Sequence, residues 1–149
     1  MAGVASKIVD EVSPTEAMQC LRDDPDAVLI DVRTRAEWAF TGLPDLREVG
    51  RAVVPVEWVQ FPTMTPNPGS MEQLQGAVGD PLPAHLLFLC RSGARSMAAA
   101  QLVAAEGKAG AGGLRCSNVA EGFEGDLDAN GHRGRVNGWK VDGLPCRQN

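Results

Sequence analysis

Two runs constrain the fold more than any other feature of the chain. Ala27-Val-Leu-Ile-Asp-Val32 and Leu86-Leu-Phe-Leu89 are continuous apolar stretches, interrupted only by Asp31. A strand with one face in water alternates apolar and polar residues; a strand covered on both faces has no reason to. Sheets covered on both faces are typically parallel, with helices supplying the cover.

The segments around these runs carry helix signals. In Ser13-Pro14-Thr15-Glu16 a serine can cap, a proline suits the first helical position and Glu16 closes a capping box. Ala17, Met18, Leu21 and Cys20 then form an apolar stripe, and Asp23-Asp24-Pro25-Asp26 ends it. Thr34-Arg-Ala-Glu37 is a second capping box, opening a short helix through Trp38 and Phe40. Further strands are expected at 8–12, 51–56 and 114–119, with a brief helical turn at 56–61 and a proline-rich loop at 62–69. Helices are expected at 70–78 and from Ser92 to Glu106, the latter burying Met97, Ala98, Leu102, Val103 and Ala105. Glycine-rich turns follow at 107–113 and 121–125, and a tail containing Trp139 and Pro145 is expected to pack back as a short helix and an extended end. Alternating strands and helices predict an α/β/α sandwich. A length of 149 residues suits one domain over 1–149, with its core at about 6–128.

Composition narrows the function. No apolar run approaches the ~18–20 residues of a membrane span, and MAGVASKIVDEVS lacks the basic start and apolar core of an export signal. A soluble cytoplasmic protein, with no membrane partner, is expected. A net charge of −5 argues against a nucleic-acid surface, which needs a dense basic face. The short basic cluster from His132 to Arg135 reads as a solvated loop. Cys20, Cys90, Cys116 and Cys146 form no C-x-x-C pair, and His85 and His132 are the only histidines, so no zinc-like ligand set stands out. The glycines at 107–113 follow a helix and do not open one, which gives no nucleotide-binding loop. No metal, nucleotide or flavin cofactor is expected.

The chemistry concentrates at Cys90-Arg91-Ser92-Gly93-Ala94-Arg95, between the end of the second apolar run and the following helix. Ligands of open parallel sheets bind beyond the carboxyl ends of the strands. There the first amides of a helix lack partners and the helix dipole favours an anion. Helix N-termini and neighbouring cations lower cysteine pKa values from ~8.5 to roughly 3.5–7.5, so a nucleophilic thiolate here needs no general base. Neither histidine adjoins the loop: His85 lies at the opposite end of its strand, ~16 Å away. Arg91 and Arg95 suit an oxyanion. A cation in the first helical turn costs ~0.3–1 kcal/mol against the dipole, so Arg95 answers another demand: loop carbonyls, an acidic partner or substrate. Cys20 and Cys116 read as structural. Cys146 is left open between structural residue, exposed relay thiol and disulfide partner of Cys90.

Cys-Arg-Ser-Gly-Ala-Arg-Ser between an apolar strand and an alanine-rich helix resembles the active-site loop of the rhodanese sulfurtransferases. Leu29-Ile-Asp-Val-Arg-Thr-Arg-Ala-Glu-Trp38 resembles the upstream signature of that family. Asn118-Val-Ala-Glu-Gly-Phe-Glu-Gly125 resembles its stretch after the fifth strand, with Glu121 where a glycine is common. The resemblance implies a five-stranded parallel sheet and a cysteine that holds sulfane sulfur as a persulfide. Carried onto this chain, Cys90 is the nucleophile and sulfur carrier. Arg91, Ser92, Gly93, Ala94 and Arg95 form the cradle, and Asp31, Arg33, Glu37 and Trp38 are supports, Trp38 by core packing. The expected partners are a small anionic donor such as thiosulfate, a cyanide or thiol acceptor, and a protein sulfur acceptor.

Two rival readings share these residues. One is a sulfur-carrying or regulatory binding module with negligible turnover. The other is a cysteine phosphatase or arsenate reductase; those related folds place five residues between cysteine and arginine, whereas four separate Cys90 from Arg95. The shorter loop suits one extra sulfur atom better than a tetrahedral phosphate.

Overall fold

A computed structural model describes residues 9–60, 62–107 and 113–148. Its main elements are β1 (Val9–Val12), α1 (Pro14–Asp23), β2 (Ala27–Asp31), α2 (Arg35–Thr41), β3 (Leu43–Pro44), β4 (Val54–Pro55), β5 (Val59–Gln60), β6 (Thr65–Pro66), α3 (Ser70–Val78), β7 (His85–Leu89), α4 (Ala94–Glu106), β8 (Arg115–Val119) and β9 (Cys146–Arg147). Strands β1, β8, β7, β2 and β4 form a five-stranded sheet in that order, every pairing parallel. The expected α/β sheet with flanking helices is therefore the fold.

The apolar runs take the central places. All five residues of β7 are buried, and β2 beside it is nearly so. Side chains alternate between faces. Ile30, Leu86 and Phe88 join Leu74 of α3 and Ala99, Ala100 and Val103 of α4 in one cluster. Leu29, Leu87 and Leu89 join Ala17, Met18 and Leu21 of α1, with Phe123 and Trp139, in the other. Both capping boxes form. Ser13 Oγ accepts from Glu16 N while Ser13 N donates to Glu16, and Thr34 and Glu37 do the same at α2.

Several expectations change. The predicted helical turn at 56–61 is instead β5, paired with β6 in a small antiparallel ribbon, with Phe61 outside the described residues. Ile8 and residues 108–112 also lie outside them. In α4 the fully buried face is Ser96, Ala99, Ala100 and Val103; Ala98, Leu102 and Ala105 are exposed. An alanine-rich helix shows little apolar contrast around its circumference, so the pattern did not point to one face. Trp38 is not core: α2 buries no residue fully, and the fully buried tryptophan is Trp139. The tail folds as consecutive turns and ends in β9, which pairs with β3, with no helix among its described residues.

Candidate active site

The sheet order places the site. From β2 the chain crosses to β4 on one side, and from β7 it crosses to β8 on the other. Adjacent strands whose connections leave in opposite directions open a crevice at their carboxyl ends. Into that crevice come Val32, Arg33 and Thr34 after β2, and Cys90 to Gly93 after β7. Val32 N donates to Leu89 O at 2.8 Å and ties the two strand ends together.

Cys90 is 1% exposed, so its sulfur lies beneath the loop and not at the surface. Gly93 N donates to Cys90 Sγ at 3.1 Å, and Ser96 Oγ lies 3.2 Å from the same sulfur. Gly93 has φ +114°, a left-handed conformation that an L side chain rarely adopts, and it turns the loop inward before the helix starts. The loop carbonyls are engaged elsewhere. Cys90 O accepts from Phe123 N at 2.8 Å, and Arg91 O from Glu124 N and Gly125 N at 3.0 and 3.1 Å. Gly93 O accepts from Met97 N and from Asn118 Nδ2, each at 3.1 Å. Among the described residues, the amides of Arg91, Ser92, Ala94 and Arg95 have no protein acceptor. Donors without partners at a helix start are suited to an anion.

The turn at 121–125 holds this arrangement. Gly122 has φ +65°, and a Cβ there would stand 2.4 Å from Cys90 O and 2.6 Å from Arg91 O. Glu121 has φ +69°, a left-handed residue at the position where the resembled motif commonly has glycine. Tail residues complete the support, with Trp139 N donating to Gly122 O and Lys140 N to Phe123 O.

Arg95 meets the demand its position implied through an acidic partner. Its Nη1 and Nη2 pair with the two carboxylate oxygens of Glu37 at 2.7 and 2.8 Å. Burial opposes the charge on Glu37, but the Arg95 hydrogen bonds and charge, with the bonds to Thr34, hold its carboxyl at about 2. Arg91 is exposed and makes no ion pair among the described residues. Beside the loop is a cleft of about 380 Å³, lined by Thr34, Glu37, Phe40 and Thr41, by Met64 from the β5–β6 turn, and by Arg91 and Arg95. Phe40 is 80% exposed there.

Asp31 and Arg33 form a fully buried ion pair, with Arg33 Nη2 2.6 Å from Asp31 Oδ2. The guanidinium also donates to Thr41 Oγ1 at 2.7 Å and Gly42 O at 2.8 Å, and stacks 4.2 Å from the Phe123 ring centre. The pair thus joins the end of β2, the end of α2 and the turn beneath the cysteine loop. Trp38 is partly buried beside this region, with its Nε1 unpaired among the described residues.

The remaining candidates lie apart. His85 Nε2 bonds Ser117 Oγ at 2.9 Å at the opposite end of β7, and burial, then Arg115, lowers its pKa. His132 is exposed in the tail, its N donating to Asp128. All four cysteines are free: Cys116 is buried, Cys20 half-buried, and Cys146 exposed on β9. Ser96 and Asn118 were not singled out in the sequence, although two consecutive polar residues, Ser117 and Asn118, inside a short strand were a signal. Both are fully buried.

Comparison with known proteins agrees with this architecture. The family model described as "Rhodanese-like domain" matches residues 13–128. An uncharacterized Rickettsia conorii protein is 31% identical over 137 residues, covering 92% of this chain and 96% of the relative. The crystal structure of Rv0390 from M. tuberculosis has 45% identity and TM-score 0.81, covering 95% of this chain and 98% of that one. A polysulfide-sulfur transferase homodimer from Wolinella succinogenes shares the fold at 20% identity and TM-score 0.57, covering 99% and 84%. With its parallel sheet, its cysteine loop at the switch point and this match over most of its length, the chain belongs to the rhodanese-like domain family.

Proposed function

We propose that the protein is a sulfurtransferase that moves one sulfane sulfur through a persulfide on Cys90. The observation that carries this reading is the polarity of the loop. Its carbonyls at 90, 91 and 93 are engaged by other donors, while Gly93 N–H points at Sγ and four further amides face no protein acceptor among the described residues. Such a cradle stabilises a sulfur anion as an oxyanion hole stabilises oxygen.

With thiosulfate as donor, the Cys90 thiolate attacks the outer sulfur. A new S–S bond forms, the bond to the sulfonate sulfur breaks, and its electron pair leaves with sulfite. Negative charge then sits on the outer sulfur of the persulfide. Cyanide or a thiolate attacks that sulfur, the inner S–S bond breaks, and the electron pair returns to Cys90. Neither histidine contacts the sulfur. Arg91, exposed and without an ion-pair partner among the described residues, is a cation available to draw in a dianionic donor. Arg95, neutralised by Glu37, fixes the loop against α2. Asp31 and Arg33 act as supports through Phe123 and Gly42. Burial of Sγ suits transfer of a single atom arriving along one line. The polysulfide-sulfur transferase of Wolinella succinogenes belongs to the same class of chemistry.

A second reading, a sulfur carrier for a protein acceptor, is favoured by the exposed Phe40 and Met64 beside the loop. Thiocyanate formation from thiosulfate and cyanide, absent in Cys90→Ala, tests the first reading. Fast loading of the sulfur with slow steady-state turnover selects the second.

A further inference from the structure

The hydrogen-bond arithmetic around Ser96 does not close in one state. Its hydroxyl has one proton and faces three acceptors: Cys90 Sγ at 3.2 Å, Gly93 O at 3.2 Å and Asn118 Oδ1 at 2.5 Å. Asn118 cannot turn over to relieve this. Its Nδ2 donates to Glu11 Oε2 at 3.2 Å and to Gly93 O at 3.1 Å, and a flipped amide would set an oxygen against both of those oxygens. Asn118 Oδ1 is therefore a fixed acceptor, and the shortest contact is the one made to it. Gly93 O already has donors in Met97 N and Asn118 Nδ2. The proton thus has two competing destinations, Sγ and Asn118 Oδ1.

Resting on the sulfurtransferase reading, we infer that Ser96 is a catalytic residue whose hydroxyl rotates between Cys90 Sγ and Asn118 Oδ1 as charge enters and leaves the inner sulfur. When Sγ is a thiolate it is an ionised acceptor, and bonds to ionised groups are roughly twice as strong as neutral ones. The proton then points at Sγ. When Cys90 carries a second sulfur, Sγ has a bond to it and no net charge, and the negative charge sits one atom further out. The proton then turns to Asn118. During discharge the pair of electrons returns to Sγ, and the hydroxyl turns back to meet it. The chain Glu11, Asn118, Ser96, Cys90 holds the rotor in place from β1 across β8 to the loop. No oxidant or additional proton is consumed, because one O–H bond only changes direction.

The test separates the two half-reactions, read by intact mass after rapid quench, with thiosulfate loading and cyanide discharging the protein. Ser96→Ala is expected to slow discharge by roughly tenfold, as loss of one bond to a charged group implies, and to change loading by less than about threefold. Ser96→Thr, which keeps the hydroxyl, is expected to restore the ratio of the two rates. Equal slowing of both halves in these variants, or an unchanged ratio, would overturn the rotor while leaving the persulfide reading standing. Wild-type protein that never gains the sulfur would overturn the persulfide reading, and the rotor with it.

Discussion

Replacing Glu37 by Gln isolates the charge that binds α2 to the cysteine loop. Glutamine can serve the third position of a capping box as glutamate does, so the helix start survives while the bidentate pair with Arg95 loses its anion. In the folded protein the Glu37 carboxyl is held at about 2, against an ordinary 4.5. A difference of that size corresponds to roughly 3 kcal/mol. Each side chain is about one-fifth exposed, at 20% and 21%, so solvent screening reduces the figure to ~1–2 kcal/mol. The folded pKa is depressed, so this stability is fully present above the unfolded value. It is lost as pH falls from about 4.5 through about 2. Chemical denaturation at neutral pH is expected to place Glu37→Gln ~1–2 kcal/mol below wild type, or ~2–8 °C lower in Tm. The two curves should converge as pH approaches 2. A gap that stays constant across this range, or none at neutral pH, would refute the assignment of Glu37 as the anion that anchors Arg95.

Asp31→Ala leaves the fully buried Arg33 guanidinium without its counter-charge. Removing one partner of a buried pair costs ~3–5 kcal/mol, which thermal unfolding would read as a fall of roughly 6–20 °C; a loss under ~1 kcal/mol would contradict the burial of the pair. Gly122→Ala sets a Cβ 2.4 Å from Cys90 O, and displacement of the loop is expected to slow thiosulfate loading by more than ~10-fold with the circular dichroism unchanged. Loading at the wild-type rate in that variant would show that the turn at 121–125 does not position the cradle. Burial pushes the Cys116 thiol up to about 12, so an alkylating reagent at pH 8 should modify exposed Cys146 and spare Cys116 until the chain unfolds. Prompt modification of Cys116 would contradict its place in the sheet.

The parts of this fold visible in the sequence are those with local causes. Capping boxes act over three residues, and both appear where Ser13 and Thr34 placed them. Unbroken apolar runs follow from cover on both faces, and they became the two central strands. The cysteine loop was legible because a thiol, a glycine and two cations lie within six consecutive positions. What stayed hidden depends on distant partners. Arg95 and Glu37 are 58 residues apart, so nothing local distinguished an acidic partner from a substrate. Trp38 and Trp139 are chemically alike, and only the packing of the tail decides which is buried. Ser96 sits among alanines in a helix, and its importance depends on Asn118, 22 residues later on a neighbouring strand.

In the proposed mechanism, position 90 carries sulfur as an anion held by main-chain donors. Intact mass of the protein before thiosulfate, after it, and again after cyanide tests it most directly. A gain of one sulfur atom located to Cys90, its loss to cyanide, and no gain in Cys90→Ala are expected. A wild-type mass unchanged by thiosulfate, or sulfur found on another cysteine, would contradict it.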